Sequence, residues 1–147
     1  MKAWIQRVMK ASVTVDEKVV SSIDKGYMVL LGVTHTDTEA EAKKIADKIC
    51  DIRLFEDEKG QINRSIEDVD GDILVVSQFT LYADTSHGRR PGFSAAAPRK
   101  VAEPLYEKVV RLIAARLGEK RVKTGVFGAD MKVMLINDGP VSIEICA

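Results

Sequence analysis

The sequence predicts a single α+β domain of mostly antiparallel strands, with a barrel-like sheet and two main helices. Two segments have apolar residues at the helical period, and strand-like runs precede, separate and follow them. Short turn signals join neighbouring runs, which favours antiparallel pairing over a doubly wound parallel sheet. The length fits one domain, residues 1–147. Because each half holds strands and one helix, the pattern also suggests an internal duplication.

The chain begins with strand-like segments. Residues 2–9 are predicted to form a strand, and residues 12–15 and 18–23 a hairpin about Asp16-Glu17. Residues 26–33 are continuously apolar and are predicted to form a further strand.

The first helix is predicted to begin at a capping box. Thr36 and Glu39 have the required spacing. Apolar residues then recur at the helical period, namely Ala42, Ile45, Ala46, Ile49 and Ile52. A short strand is predicted over residues 53–55, and residues 57–60 form a turn.

The second half is predicted to hold the longest strand and the second helix. The strand covers residues 72–83, and a loop rich in turn-forming residues follows over 84–97. The helix runs from about Pro98 to Leu117, where Pro104 marks a kink or a later start. Three strands complete the chain, near 121–125, 131–137 and 141–146.

Composition and charge exclude several classes of protein. No apolar run approaches the roughly 20 residues that span a bilayer. Charges interrupt the N-terminus, so we expect a cytoplasmic protein that has no secretory signal and no membrane partner. The net charge of zero argues against a protein that binds DNA or long RNA through many phosphates.

The charges are unevenly distributed along the chain. Residues 36–72 hold 12 acidic and 6 basic side chains, whereas residues 86–125 hold 3 acidic and 10 basic ones. Such asymmetry is typical of a solvated surface, and it also suits a short contact with a polyanion such as the end of an RNA.

Cysteine and histidine usage does not indicate a metal site. Cys50 and Cys146 lie far apart in apolar contexts without a CxxC motif. We therefore expect two buried thiols, with a disulfide or a metal site as the alternative. His35 and His87 fall in predicted loops. A catalytic role for either is the alternative to the favoured interpretation of two exposed loop residues, and no cofactor is predicted.

A polar segment interrupts the longest predicted strand. Ser77-Gln78-Phe79-Thr80 places two hydroxyls and an amide after four aliphatic residues. Strand alternation would put Ser77 and Phe79 on one face, and Gln78 and Thr80 on the other, towards a cleft or solvent. The alternative is an ordinary strand end with a solvated amide. No histidine or lysine lies close in sequence, so a catalytic triad is not indicated.

Two glycine-containing segments are further candidates. Gly139-Pro140 separates two strand-like runs, as a bulge or an edge turn would. Residues 125–131, which end at Met131, form either a tight turn or the wall of a small-ligand pocket.

The loop of residues 88–94 combines guanidinium groups with an aromatic ring. Arg89, Arg90 and Phe93 are suited to holding a phosphate and stacking a base, or they form an exposed turn.

These motifs together resemble those of the D-aminoacyl-tRNA deacylase family, whose members hydrolyse D-amino acids from mischarged tRNA. The resemblance spans nearly the whole chain in the family's order. It rests on seven segments: Gln6-Arg7-Val8, Leu30-Leu31-Gly32-Val33, Arg53-Leu54-Phe55-Glu56-Asp57, Ser77-Gln78-Phe79-Thr80-Leu81, Arg90-Pro91-Gly92-Phe93, Gly125-Val126-Phe127-Gly128-Ala129-Asp130-Met131 and Asn137-Asp138-Gly139-Pro140-Val141.

The resemblance implies an ester hydrolase that acts in chiral proofreading as a homodimer. Gly139-Pro140, with a cis peptide bond, would enter the other subunit's active site beside Ser77 to Thr80. Its carbonyls would receive the substrate's α-ammonium group and leave no room for an L side chain, whereas a D side chain would point outwards. Glycyl-tRNA is implied as a secondary substrate.

The resemblance also assigns roles to single residues. Arg7 would hold the Gly-Pro motif, unless it only forms an ion pair at a strand edge. Phe93 would stack on the terminal adenine, unless it packs in the core. Backbone amides near Phe79 and Thr80 would stabilise the oxyanion. Thr80 would act as a nucleophile or leave the reaction to a water assisted by the ribose 2′-hydroxyl, and the lack of a nearby base favours the second role.

One departure from the family and two alternatives remain. Ser142 stands where the family usually has threonine after Gly-Pro-Val, and the hydroxyl is kept. One alternative is a related deacylase with a trans Gly-Pro that edits an L-aminoacyl-tRNA. The other is a non-catalytic module that binds an RNA end and needs no hydroxyls at positions 77 and 80.

Overall fold

The computed structural model describes all 147 residues and confirms the α+β class. The chain forms eight strands, two α-helices and two short 3-10 helices. In chain order these are β1 (Lys2–Val15), β2 (Lys18–Ile23), β3 (Gly26–Gly32), α1 (Glu39–Asp51), β4 (Arg53–Glu56), β5 (Ile62–Ser65), β6 (Asp72–Ser77), a 3-10 turn (Phe79–Tyr82), α2 (Arg99–Leu117), a second 3-10 turn (Glu119–Arg121), β7 (Val122–Thr124) and β8 (Lys132–Cys146).

Strand β1 is the centre of the main sheet. It pairs antiparallel with β2 and β3 along one edge and with β8 along the other. The sheet continues through two parallel pairs, β3 with β6 and β6 with β7. Strands β4 and β5 form a separate hairpin. The pairing is mostly antiparallel, as predicted, and β8 lies at an edge of the sheet.

Apolar side chains form a core on each face of the main sheet. The helices pack over one face in a cluster of 22 buried residues, which includes Ile5, Tyr27 and Val75. A smaller cluster of 7 lies on the other face, where the sheet is barrel-like. Burying an aliphatic side chain contributes about 1.5–3 kcal/mol, so the two clusters supply most of the stabilisation. No helix is long and apolar enough to cross a membrane.

The strands at the two ends of the chain are longer than predicted. The hairpin at Asp16-Glu17 is confirmed, and both residues have positive φ, 48° and 62°, as a tight two-residue turn requires. However, residues 2–9 and 12–15 belong to the single strand β1, and residues 131–137 and 141–146 fall almost entirely within the single strand β8. The pairing of β1 with β8 shifts register between the predicted segments, but it resumes beyond each shift, so the strands do not end there.

Both helices were predicted, but the capping box of α1 lies two residues later than Thr36. The cap is Thr38, whose side chain accepts from Ala40 while Glu41 reaches back to it. The carboxylate of Asp37 accepts from the backbone of Thr34 and from the α-amino group of Met1. Residues 34–37 therefore form a turn, and the helix begins only after it.

Three other expectations are corrected by the structure, and one strand was not predicted. Helix α2 continues through Pro104 from its start at Arg99, so a later start is wrong. Strand β6 ends at Ser77 rather than at residue 83. Strand β5 was not predicted, because its sequence is short and polar. Of the two cysteines only Cys50 is buried, whereas Cys146 is exposed.

Candidate active site

The Ser77-Gln78-Phe79-Thr80 segment turns out of the sheet at the end of β6. The amide of Gln78 still donates to the carbonyl of Leu31 on β3, at 2.8 Å, before the chain enters the 3-10 turn. The turn packs tightly on Gly32, where an added Cβ would lie 3.0 Å from the Gln78 carbonyl oxygen. The strand alternation expected for this segment therefore stops at Ser77, and Phe79 is exposed rather than part of the core.

A pocket of about 680 Å³ opens beside this turn. It lies between the end of β6, the loop before α2, the first turns of α2 and the segment that leads into β8. Ten of its 15 lining residues are hydrophobic. Five residues that the sequence singled out line it together: Ser77, Gln78, Phe79, Phe93 and Met131. Residues 127–131 form one wall, as the second interpretation of that segment predicted.

The inner wall of the pocket is an aromatic pair joined to the core. Phe127 meets Tyr106 edge to face, with ring centroids 5.6 Å apart. The hydroxyl of Tyr106 donates to the carbonyl of Val75 at 2.9 Å. Burial raises the pKa of Tyr106 above its ordinary range, so the hydroxyl remains a donor. This wall is fixed by the sheet behind it.

The loop before α2 is fastened to the end of β3. Thr34 donates through its hydroxyl to the carbonyl of Ala95 at 2.6 Å, and the His35 ring contacts the carbonyl of Ser94 at 2.8 Å. The amide of Ala97 also donates to Val33, at 2.9 Å. These contacts hold Phe93 at the pocket mouth. Both histidines are exposed loop residues, as expected.

Thr80 lies beside the pocket but does not line it. Its hydroxyl contacts the side-chain amide of Gln78, which donates to it. No carboxylate, imidazole or amine lies within hydrogen-bond distance of the Thr80 hydroxyl. An amide cannot take up a proton at neutral pH, so Thr80 has no general base in this chain. No group of three His, Cys, Asp or Glu side chains is placed to hold a metal ion.

Gly139 and Pro140 form a large bulge in β8. Gln6 pairs with Ser142 and Val8 pairs with Asn137, so four residues of β8 face the single residue Arg7. The Gly139–Pro140 peptide bond is cis. Gly139 has a φ of 125°, which L side chains rarely adopt. Both residues are exposed, and neither lines the pocket of its own chain.

Arg7 is buried behind this bulge, where 5% of it is exposed. Its Nε donates to the carbonyl oxygen of Asp138 at 3.0 Å, and its Nη1 donates to the carbonyl oxygen of Leu54 at 2.6 Å. The Asp138 carboxylate lies 3.4 Å from Nε. The guanidinium thus joins the bulge to β4, which goes beyond an ordinary ion pair at a strand edge.

Sequence reasoning missed part of the site. Arg99 and Ala102 line the pocket from α2. The guanidinium of Arg99 pairs with Glu103 through two hydrogen bonds, of 2.8 and 3.0 Å, and lies 5.7 Å from the Phe127 ring centroid. The only signal in the sequence was the i, i+4 spacing of Arg99 and Glu103, which is common on exposed helices. Arg89 and Arg90 are exposed and lie outside the lining.

A family model described as D-Tyr-tRNA(Tyr) deacylase matches residues 4–146. The chain belongs to this family. Many relatives named D-aminoacyl-tRNA deacylase share about half of its residues. The protein from Cytophaga hutchinsonii is 52% identical over 99% of this chain and 96% of its own length. The protein from Brevibacillus brevis is 54% identical over 99% of both chains.

Solved structures show the same fold. A chain named c-Myc DNA Unwinding Element Binding Protein is 41% identical, covers 100% of this chain and 99% of its own, and superposes with a TM-score of 0.95. A probable eukaryotic D-amino acid tRNA deacylase is 18% identical over 98% of both chains and has a TM-score of 0.85. Because the identity is only 18%, the second comparison shows a shared fold and nothing more.

Proposed function

We propose that this protein hydrolyses the ester bond of D-aminoacyl-tRNA and releases the D-amino acid and free tRNA. The observation that supports this most is the pocket formed by Ser77, Gln78 and Phe79 in a chain of the D-Tyr-tRNA(Tyr) deacylase family. Its volume of about 680 Å³ is within the ordinary range for small-molecule sites and accommodates a nucleoside with an attached amino acid.

The mostly apolar lining suits the terminal adenosine of the tRNA. Phe127 and Ala102 pack against the main core, so the inner part of the pocket offers a rigid apolar surface to a flat base. The ester then lies towards the polar residues Ser77 and Gln78. This division places the reacting carbonyl at the 3-10 turn.

In the proposed reaction, water attacks the ester carbonyl. The first two amides of the 3-10 turn, those of Phe79 and Thr80, have no acceptor inside the turn and stabilise the oxyanion. The carbon–oxygen ester bond then breaks, and the ribose oxygen leaves with a proton. Because Thr80 has no base beside it, the neighbouring ribose 2′-hydroxyl assists the attacking water, and Thr80 is not the nucleophile.

Selection between enantiomers is assigned to Gly139 and Pro140 of a second copy in a homodimer. In support, both residues are exposed on the edge strand β8 and do not line their own pocket. Two large apolar residues of the same strand are also exposed, Met134 by 58% and Ile136 by 45%. A subunit contact on β8 would explain their exposure. The two carbonyls would receive the α-ammonium group and exclude an L side chain.

Glycyl-tRNA is a proposed secondary substrate. Glycine has no side chain, so a filter that acts by excluding an L side chain does not reject it. The α-ammonium group still reaches the carbonyls of Gly139 and Pro140.

A second candidate is a module that binds a nucleic acid end without catalysis. The exposed Arg89 and Arg90, which form no salt bridge, favour it. The 41% identical relative is named for binding a DNA unwinding element, which points the same way for that protein. The alternative of an editing enzyme for an L-aminoacyl-tRNA required a trans Gly-Pro, whereas the Gly139–Pro140 bond is cis.

Release of D-tyrosine from D-tyrosyl-tRNA tests the proposal and ties the activity to the pocket. The wild-type protein is expected to release D-tyrosine. In Ala129→Phe the larger side chain fills part of the pocket, and the release of D-tyrosine is expected to be at least about tenfold slower. Ala115→Phe, at an exposed position of α2 outside the pocket, is the matched control and should not change the rate. Binding of tRNA without ester loss would favour the non-catalytic module.

A further inference from the structure

Two phenylalanines lie exposed and in contact at the pocket mouth. Phe79 is 56% exposed and Phe93 is 40% exposed, yet their ring centroids are only 5.1 Å apart, with a 66° angle between the planes. Large aromatic rings are seldom left in water together, and such a pair is typical of a surface that a ligand or a partner chain covers.

This outer pair is separate from the aromatic wall inside the pocket. Phe127 packs against Tyr106 and the main core, whereas Phe79 and Phe93 belong to neither core cluster. The pocket therefore offers two aromatic surfaces at different depths. A single terminal base can occupy the inner one, which leaves the outer pair without a stacked base.

The loop that precedes Phe93 carries two cations close to it in sequence. Arg89 and Arg90 are exposed and form no salt bridge, unlike Arg99 and Arg116, which bind carboxylates. The only carboxylate on the same loop is Asp84, and Ser86 donates to it through its backbone amide and its hydroxyl, at 2.9 and 2.6 Å. The two guanidinium groups remain available to phosphates.

The base of this loop is held in place. The backbones of Asp84 and Gly92 exchange two hydrogen bonds, each of 2.8 Å, immediately before Phe93. Together with the contacts from Thr34 and His35, these bonds fix the two ends of the segment that carries the arginines and the ring. Exposed aromatic rings beside unpaired cations are the usual surface for single-stranded nucleic acid.

We propose that Phe79 and Phe93 form a second nucleobase subsite, which stacks the penultimate base of the substrate's single-stranded 3′ end. Arg89 and Arg90 contact the phosphates that follow. This inference rests on the proposed function and extends it from the terminal nucleoside to the next nucleotide. It also changes the role expected for Phe93, from the terminal adenine to its neighbour.

The test compares three substrates that share one ester: D-tyrosyl-adenosine, the D-tyrosyl ester of the dinucleotide cytidylyl-adenosine, and D-tyrosyl-tRNA. For the wild type, kcat/KM should rise about tenfold from the nucleoside to the dinucleotide, a gain typical of one stacked base. Phe93→Leu should lose that gain, so that the ratios of its kcat/KM values for the dinucleotide and the tRNA to its own value for D-tyrosyl-adenosine fall about tenfold. Phe93→Trp should retain the gain. Ile62→Ala, an exposed apolar position on β5, is the control and should leave all three values unchanged.

Several outcomes would overturn the subsite. An equal loss of kcat/KM on all three substrates would place Phe93 at the terminal nucleoside. No loss on any substrate would show that the Phe93 ring does not contact the substrate. Dissociation of a dimer by Phe93→Leu would make the pair a subunit contact instead.

Affinities for the uncharged compounds separate this proposal from the proposed function. The wild type should bind cytidylyl-adenosine about tenfold more tightly than adenosine, and Phe93→Leu should remove the difference. A protein that hydrolyses none of the esters but shows this difference would contradict the deacylase proposal and keep the subsite. Hydrolysis of the esters together with equal affinities for adenosine and cytidylyl-adenosine would support the deacylase proposal and contradict the subsite.

Discussion

Arg7 on β1 and Asp138 on β8 are joined across the sheet at the point where the two strands lose register. The Nε of Arg7 donates to the Asp138 carbonyl oxygen at 3.0 Å, and the residue beyond Asp138 is the first of the Gly139-Pro140 pair. Because Arg7 is also fixed to Leu54, the bulge has a rigid support. The selectivity filter that we propose for Gly139 and Pro140 would need such support, since its carbonyl acceptors have to stay in place.

Replacement of Arg7 by lysine should therefore weaken the bulge. A single ammonium group cannot reach the Leu54 and Asp138 carbonyls with the forked geometry of a guanidinium. We expect Arg7→Lys to lower the free energy of unfolding by about 1–3 kcal/mol, as buried acceptors lose their donor. Urea unfolding measures this. Arg53→Lys, at an exposed residue of β4, is the control and should change the value by less than about 0.5 kcal/mol.

Subunit mixing tests whether the filter acts in trans. Gly139→Ala, which strains a backbone with a φ of 125°, and Ala129→Phe should each be nearly inactive alone. In a heterodimer of the two variants, one pocket is intact and faces an intact Gly139-Pro140. Random exchange should restore about a quarter of the wild-type rate on D-tyrosyl-tRNA, because half of the dimers hold one good site. No recovery after verified exchange would place filter and pocket in the same chain.

Thr80→Ala tests the chemical role of the hydroxyl. Since only the Gln78 amide contacts this oxygen, we expect kcat to stay within about threefold of the wild type. D-tyrosyl-tRNA ending in 2′-deoxyadenosine should instead react about 100-fold more slowly or worse, as expected when an assisting group is removed. A loss of that size in Thr80→Ala, with unchanged thermal stability, would make Thr80 the nucleophile.

Stability should fall at alkaline pH because of a buried thiol. Burial raises the pKa of Cys50 from 9.0 to about 11, so between these values the unfolded chain has lost a proton that the folded chain keeps. Folding then takes up a proton, and the free energy of unfolding decreases as the pH rises from 9 to 11. Urea midpoints measured across this range should fall less steeply for Cys50→Ala. Parallel slopes in the two proteins would contradict the assignment.

The sequence predicted most elements because their signals are local. The turn at Asp16-Glu17 needs only its own two residues, and the apolar period of α1 is visible without a neighbour. The end of β6 is different. Residues 78–81 continue a strand-like run in sequence, but in the fold they pack closely on Gly32 as a 3-10 turn, a contact that no local pattern shows. The start of α1 likewise depends on Asp37, which bonds to Thr34 and to Met1.

The candidate site was predicted in part for the same reason. Ser77, Phe93 and Met131 were recognisable by residue type and family resemblance, and the fold brings them together. The pocket itself is a tertiary product of four segments, so Arg99 and Ala102 had no distinguishing pattern. The separation of Gly139-Pro140 from its own chain's pocket became visible only once β8 was placed at the sheet edge.

The most direct test of the account is the stereochemical preference of the wild-type protein. D-tyrosyl-tRNA and L-tyrosyl-tRNA are incubated separately with the same preparation, and the loss of each ester is followed under single-turnover conditions. We expect the D ester to be hydrolysed at least about 100-fold faster, the discrimination that follows when a rigid site excludes one enantiomer. Equal rates, or faster loss of the L ester, would contradict it.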